Sequence, residues 1–303
     1  MSIGRVRRVN GFSVHTLVNE SVSIGLVPQL GGRVVSLRDR AAGREWLDGW
    51  APASTRRLWA PSDPAVFETG PGAGLDECFP TVLPCRVNGR DLPDHGELWN
   101  SEPSHEFVAV DDGAFTCRWQ LHCLPLTFER RIVLHGRSVR FEYRVGNTAD
   151  VPTPFLWAWH PLFSLRRGDQ LVFAPSVKTC FPPGGGALAP WPCDVTGNDL
   201  SRAKIRPAAP AMAKVFVGPL ETGSAEIRSA RGARLCLAWP ADLFPYAGVW
   251  ITRGFWKGLH HWAVEPTNAA VDRLSDIEGA GPVSTLAPNE IRSWTLIVRL
   301  ERG

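Results

Sequence analysis

Three short segments bring ionisable side chains to backbone positions that proline or glycine holds fixed: LPDHGELW (92–99), FLWAWHPLF (155–163) and HHWAVEPTN (260–268). In the last, Glu265 closes the apolar run WAV and Pro266 follows at once. Proline fixes its own φ, offers no N–H to a sheet ladder and drives the preceding residue into extended geometry. A carboxylate held so firmly is a candidate general base. The plainer alternative is a rim glutamate paired with an arginine, worth about 0–1 kcal/mol. His160 stands immediately before Pro161 in an aromatic-rich stretch. An imidazole there is a candidate proton donor near neutrality, against the alternative of a satisfied core or rim histidine. The first segment carries Asp94, His95 and Glu97 around Gly96. Pro-Asp-x-Gly is ordinary hairpin punctuation. The same turn can also offer His95 as a second imidazole facing His160.

These groups need strands to position them. Successive strand side chains point to opposite faces. Leu156, Ala158 and His160 therefore share one face, with Trp157 and Trp159 on the other. Glu265 shares its face with His261 and Ala263, the small and polar side expected of a cleft, while Trp262 and Val264 point away.

Period two dominates the whole chain. Phe115, Cys117, Trp119, Leu121 and Cys123 alternate with polar partners, as do Val139, Phe141, Tyr143 and Val145, and again Trp294, Leu296, Val298 and Leu300. Further strands are expected at SVSIGLV, RVVSLRD, LTFERRIVL, PFLWAWH, AKVFVG, SAEIRS, RLCLAWP and YAGVWIT. No long 3.6-residue period competes; short helical turns are expected at LSDIEGA or within 54–68. Without a repeat, linker or low-complexity tract, residues 1–303 read as one all-β domain, a two-layer sandwich or related closed form.

Composition narrows the function. The formal charge is +3 with acids and bases interspersed, so no run of Lys or Arg marks a nucleic-acid or membrane partner. MSIGRVRRVNGF lacks the apolar core of a signal peptide, and no stretch reaches the ~18 apolar residues of a membrane span. Seven cysteines in no recognisable framework fit reduced thiols and a cytoplasmic location, with Cys117 and Cys123 expected in the core. Thirteen tryptophans against two tyrosines leave aromatic surface to spare for stacking on sugars.

Several chemistries are disfavoured. His260 and His261 are strand neighbours and face opposite ways; no HxH or HExxH occurs, so no metal is expected. GPGAGLDECFPT has no phosphate-loop spacing, and no GxSxG elbow is found. Asp76 and Glu77 read as loop or sugar-hydroxyl ligands rather than as a glycosidase pair.

Taken in order, VPQLGGRVVSLRDRAAGREWL, GLDECFPT, LPDHGELW, WAWHPLF, FPYAGVW, HHWAVEPTNAAVDRL and APNEIRSWTL resemble the aldose 1-epimerase (galactose mutarotase-like) family, from about residue 27 to about residue 297. The resemblance implies a mostly antiparallel β-supersandwich with a carbohydrate cleft on one sheet and no cofactor. It implies Glu265 as general base, His160 as general acid and His95 assisting at the ring oxygen. Asp76, Asp94 and Glu97 are then candidate sugar-hydroxyl ligands, and Trp99, Trp250 or Trp256 candidate stacking surfaces. Arg33 is either a sugar contact or a solvent-facing strand residue. The best-known members carry a sugar-binding aspartate before the EP motif; here Phe244 to Trp256 holds no acid, which leaves the sugar open. The expected protein is a mutarotase acting on a monosaccharide or sugar derivative, as a monomer or homodimer. A non-catalytic sugar-binding protein is the alternative, and a lyase or hydrolase using Tyr246 ranks last.

Overall fold

The computed structural model describes residues 3–47, 66–70, 72–104, 113–203, 210–277 and 284–302. Two sheets dominate them. The larger runs Ile3–Val9, Phe12–Val18, Val22–Val27, Arg33–Asp39, Leu75–Cys78, Ala158–Pro161, His260–Thr267, Tyr246–Arg253 and Ala211–Val217, with short strands at its flanks. The second runs Gln170–Phe173, Gly223–Arg228, Ala233–Trp239, Ile291–Arg302, Ser138–Asn147, Leu126–His135 and Ala114–Gln120. Neighbouring strands are antiparallel in both.

Alternating hydrophobicity builds the inner faces. In Leu126–His135 every second residue is buried, and Ser138–Asn147 repeats the pattern until its last turn inward. The buried side chains meet those of the larger sheet. Phe141 packs on Trp159 at 5.5 Å between ring centroids, Tyr143 on Trp157 at 5.2 Å, and Trp157 on Trp294 at 5.2 Å. Burying each such ring contributes roughly 1.5–3 kcal/mol. The tryptophans beside His160 therefore anchor its strand to the core and leave the imidazole on the opposite face.

One acid sits inside this core. Glu77 accepts hydrogen bonds from Tyr143 Oη and Trp157 Nε1, both at 2.8 Å, and faces Arg130 Nη1 at 3.3 Å. Burial pushes its carboxyl up to about 7, although Arg130 and the two donors pull the other way. Asp76 and Glu77 thus belong to the strand Leu75–Cys78, not to a loop.

Other expectations shift in detail. The first hairpin, Ile3–Val9 with Phe12–Val18, was not anticipated: its first strand carries three arginines and is largely exposed, so no apolar alternation marks it. Its turn, Asn10-Gly11, has both φ angles positive, the ordinary two-residue hairpin chemistry. The strand beginning at Ala114 stops at Gln120, so Cys123 lies in the following turn and is only half-buried, whereas Cys117 is a core thiol. PFLWAWH is not one continuous strand: Thr153–Pro154 and Ala158–Pro161 are separate. Helical turns occur at Phe67–Thr69 and Leu274–Asp276; the remaining expected helical positions, 54–65 and 278–280, lie outside the described residues. No helix among the described residues is long and apolar enough to cross a membrane.

Candidate functional site

The larger sheet parts at one place. Ala158 pairs with Thr267, and beyond a gap Phe163 pairs with Trp262 in the same register. Counting inward from either side puts His160 directly opposite Glu265, in the stretch where the two strands share no ladder. Both side chains project to the outer face, and His160 Nε2 lies 3.7 Å from Glu265 Oε1. Pro266 does not end its strand, which continues to Thr267; it falls in this unpaired stretch, where a residue lacking an N–H is tolerated.

That face is the floor of a cavity of about 390 Å³. Met212, Lys214, Trp250, Glu265, His160 and Leu162 line it from the sheet. Loops supply the walls: Val66, Phe67 and Glu68, then Val82 and Leu83, Asp94 and His95, Phe255 and Trp256, and Asp272. Aromatic surface around a few convergent polar groups suits a small polar ligand with an apolar face.

The turn carrying His95 is held from several directions. His95 has φ 56° and Gly96 φ 73°; a Cβ on Gly96 would meet the Phe79 carbonyl oxygen at 2.0 Å, so only glycine fits. The backbone N–H of His95 donates to Val82 O at 2.7 Å. Asp94 divides its carboxylate, with Oδ1 2.7 Å from His95 Nδ1 and Oδ2 accepting the Phe67 N–H at 2.8 Å. Phe67 then stacks on the His95 ring, 3.9 Å between centroids and 9° between planes. Burial alone would raise the Asp94 carboxyl, but the His95 side chain and the Phe67 N–H hold it below the usual range. The two imidazoles stand 5.3 Å apart, edge to face.

Glu265 is only 1% exposed. Burial raises its carboxyl above the ordinary carboxylate range, Lys214 opposes that, and Asp272 adds to it. His160 moves the other way. Burial lowers its basicity well below the ordinary imidazole range, and the positive charges of His95 and Lys214 reinforce the effect. The nearby Glu265 carboxylate would favour the imidazolium, but loss of solvent dominates in so closed a position.

Glu265, His160, His95, Asp94 and Trp250 thus come together in one cavity, while four other candidates lie elsewhere. Arg33 is not solvent-facing: its Nε spans the two oxygens of Asp76 at 2.8 and 3.1 Å, and both residues are 2% exposed. Asp76 stands opposite His160 on the neighbouring strand and so shares its face; this ion pair flanks the imidazole without lining the cavity. Glu97 turns away and accepts the N–H groups of His122 and Cys123, both at 2.8 Å. Trp99 is buried, and its Nε1 donates to the Asp94 carbonyl at 2.7 Å, so it props the turn from behind.

Lys214 and Asp272 were missed. Lys214 shares strand parity with Met212 and Phe216, and a lone charge on an apolar face signals a hidden partner. Asp272 lies in the loop beyond the glutamate strand, where local spacing carries no such signal. Phe67 was missed for the same reason. Among the described residues, no group of three His, Cys, Asp or Glu is placed to hold a metal ion.

No family model matches this sequence, and no curated protein matches it either. Its fold is that of the galactose mutarotase-like proteins. The Slr1438 protein from Synechocystis sp. PCC 6803 superposes with a TM-score of 0.70 at 17% identity, covering 96% of both chains. A galactose mutarotase-like protein from Lactobacillus casei ATCC 334 gives 0.68 at 18% identity, covering 95% of this chain and 100% of its own. One from Clostridium acetobutylicum gives 0.68 at 13% identity, covering 100% and 99%.

Proposed function

We propose that this chain is an aldose 1-epimerase, a single catalytic domain that interconverts the α and β anomers of a monosaccharide or sugar derivative by acid–base ring opening. The observation that carries this reading is the in-register meeting of His160 and Glu265 on the cavity floor, with Glu265 Oε1 free of any hydrogen-bond partner among the described residues. A purely sugar-binding protein has no need of a buried carboxylate with an idle oxygen beside an imidazole. The galactose mutarotase-like fold supports the reading further.

The chemistry follows from the geometry. Glu265 Oε1 accepts the proton of the C1 hydroxyl as the C1–O5 bond breaks. The opposite, imidazole-bearing wall supplies a proton to O5, giving the open-chain aldehyde. Rotation about C1–C2 presents the other carbonyl face. On closure, O5 returns its proton, attacks C1, and the carbonyl oxygen recovers the proton from Glu265. Atoms and charge balance, and each well-placed acid or base contributes roughly 10²–10⁴-fold.

The two imidazoles suit the reverse of the parts that the resemblance implies, His160 as general acid and His95 as assistant at the ring oxygen. His160, kept neutral by burial, donates an N–H hydrogen bond that polarises the ring oxygen. His95 carries the labile proton, because ionised Asp94 at its Nδ1 accepts the second N–H that an imidazolium must place. Trp250, Trp256 and Phe67 supply the stacking surface.

The test is anomer exchange by proton NMR across glucose, galactose, other aldoses, uronates and hexose 6-phosphates, with wild type beside Glu265→Gln. Acceleration by wild type alone is expected. Equal sugar binding by both proteins, with acceleration by neither, would replace the enzyme with a binding protein.

A further inference from the structure

Lys214 reaches Glu265 across a neighbouring strand. It pairs with Trp250 on Tyr246–Arg253, whose Gly248 in turn pairs with Glu265. The ammonium extends diagonally past that glycine, where no side chain stands in the way. Lys214 Nζ donates to Glu265 Oε2 at 2.8 Å and to Asp272 Oδ1 at 2.7 Å. One oxygen of the glutamate is anchored; the other has no hydrogen-bond partner among the described residues and is turned to His160. With 17% of its side chain exposed, Lys214 is no solvated surface partner, and breaking so enclosed a pair leaves an uncompensated charge.

We propose that Lys214, steadied by Asp272, is a positioning residue that fixes the carboxylate plane of Glu265, aims Oε1 at the reacting hydroxyl and keeps that carboxyl ionised. The catalytic consequence rests on the mutarotase reading; the hold on Glu265 does not. A lysine beside a ring-opened aldehyde forms a Schiff base only as a free amine. Two carboxylates raise the Lys214 ammonium well above its ordinary range despite burial, so it stays protonated and non-nucleophilic.

Other charged or titratable groups also face Glu265: Asp272 from the loop after its strand, His160 from Ala158–Pro161, His95 from its turn, and the buried Cys78 thiol from Leu75–Cys78. Among the described residues only Lys214 hydrogen-bonds the carboxylate side chain. Asp272 acts on Glu265 with the opposite sign, its negative charge opposing a second one nearby.

The test titrates the Glu265 carboxyl by NMR of ¹³C-glutamate-labelled protein, assigned with Glu265→Gln, beside the pH profile of anomer exchange. In Lys214→Met the midpoint should rise by roughly 1–3 pH units, the effect of losing an adjacent opposite charge, and the acid limb of the rate should follow. Lys214→Arg, which keeps the cation, should restore most of the shift. Asp272→Asn should move the midpoint down. General damage to the fold would not move these variants in opposite directions. An unshifted carboxyl in Lys214→Met overturns the proposal. Should that variant fail to fold, an Asp272→Asn midpoint that stays put or rises does the same. A wild type that accelerates no anomer exchange removes the mutarotase reading, and the carboxyl titration still decides whether Lys214 holds Glu265.

Discussion

Gly248 stands opposite Glu265 on the neighbouring antiparallel strand, and a Cβ there would lie 3.0 Å from Oε2 and 3.3 Å from the glutamate Cβ. The glycine makes the room in which the carboxylate lies and across which Lys214 approaches it. Gly248→Ala should therefore push the carboxylate by a few tenths of an ångström without burying anything new. Since a 1 Å misplacement can cost about 10²-fold, a loss of up to roughly tenfold in kcat is expected, with little change in thermal stability. Full activity in this variant would mean that the placement of Oε2 is not critical.

The burial of Glu265 sets a pH dependence. Its carboxyl is raised above the ordinary 4.5 and must be ionised to accept a proton, so activity should fall as pH drops through the raised value. A kcat/KM profile on the substrate found by the anomer-exchange panel measures this. An acid limb at or below the ordinary carboxylate value would remove Glu265 as the base that governs it.

Asp94 offers a test of the imidazole assignment. Asp94→Asn keeps the size of the side chain but removes the charge beside His95 Nδ1. If His95 carries the proton, kcat should fall by roughly tenfold or more while sugar affinity changes little, within the 10²–10⁴-fold span of a general acid. His95→Gln should lose more. Should His95→Gln keep wild-type kcat while His160→Gln loses it, the proton belongs to His160 instead.

Glu77 predicts a stability effect away from the cavity. Its folded-state value of about 7 lies above the ordinary 4.5, so the stabilisation from its neutral form is fully present below 4.5 and is lost as pH rises through about 7. Wild type measured against Glu77→Gln by urea unfolding should lose its relative advantage across that interval. Glu77→Ala removes the acceptor from Tyr143, Trp157 and Arg130 and should cost about 3–5 kcal/mol. A difference that stays flat with pH would show that Glu77 is ionised throughout.

Much of the site was legible in the chain because strand parity is local. Side chains alternate at every residue, so the tryptophans around His160 and the small residues before Glu265 already told which way each functional group points. The proline after each pointed to a restrained position, though not to where the strand ends: Pro266 proved to be internal.

Parity says nothing about which strands are neighbours or where a sheet parts, since those depend on contacts between residues from about forty to more than a hundred positions apart. The meeting of His160 with Glu265, the reach of Lys214 past Gly248 and the closing of Arg33 on Asp76 all arise there. So does the departure of Glu97, whose carboxylate found backbone partners 25 and 26 positions further on, whereas Trp99 is held by the Asp94 carbonyl only five positions back. The amino-acid order determined the alternating strands and the chemistry carried on each face. Long-range packing, by burying some of those groups against one another and leaving a few open to a cavity, selected which of them could act.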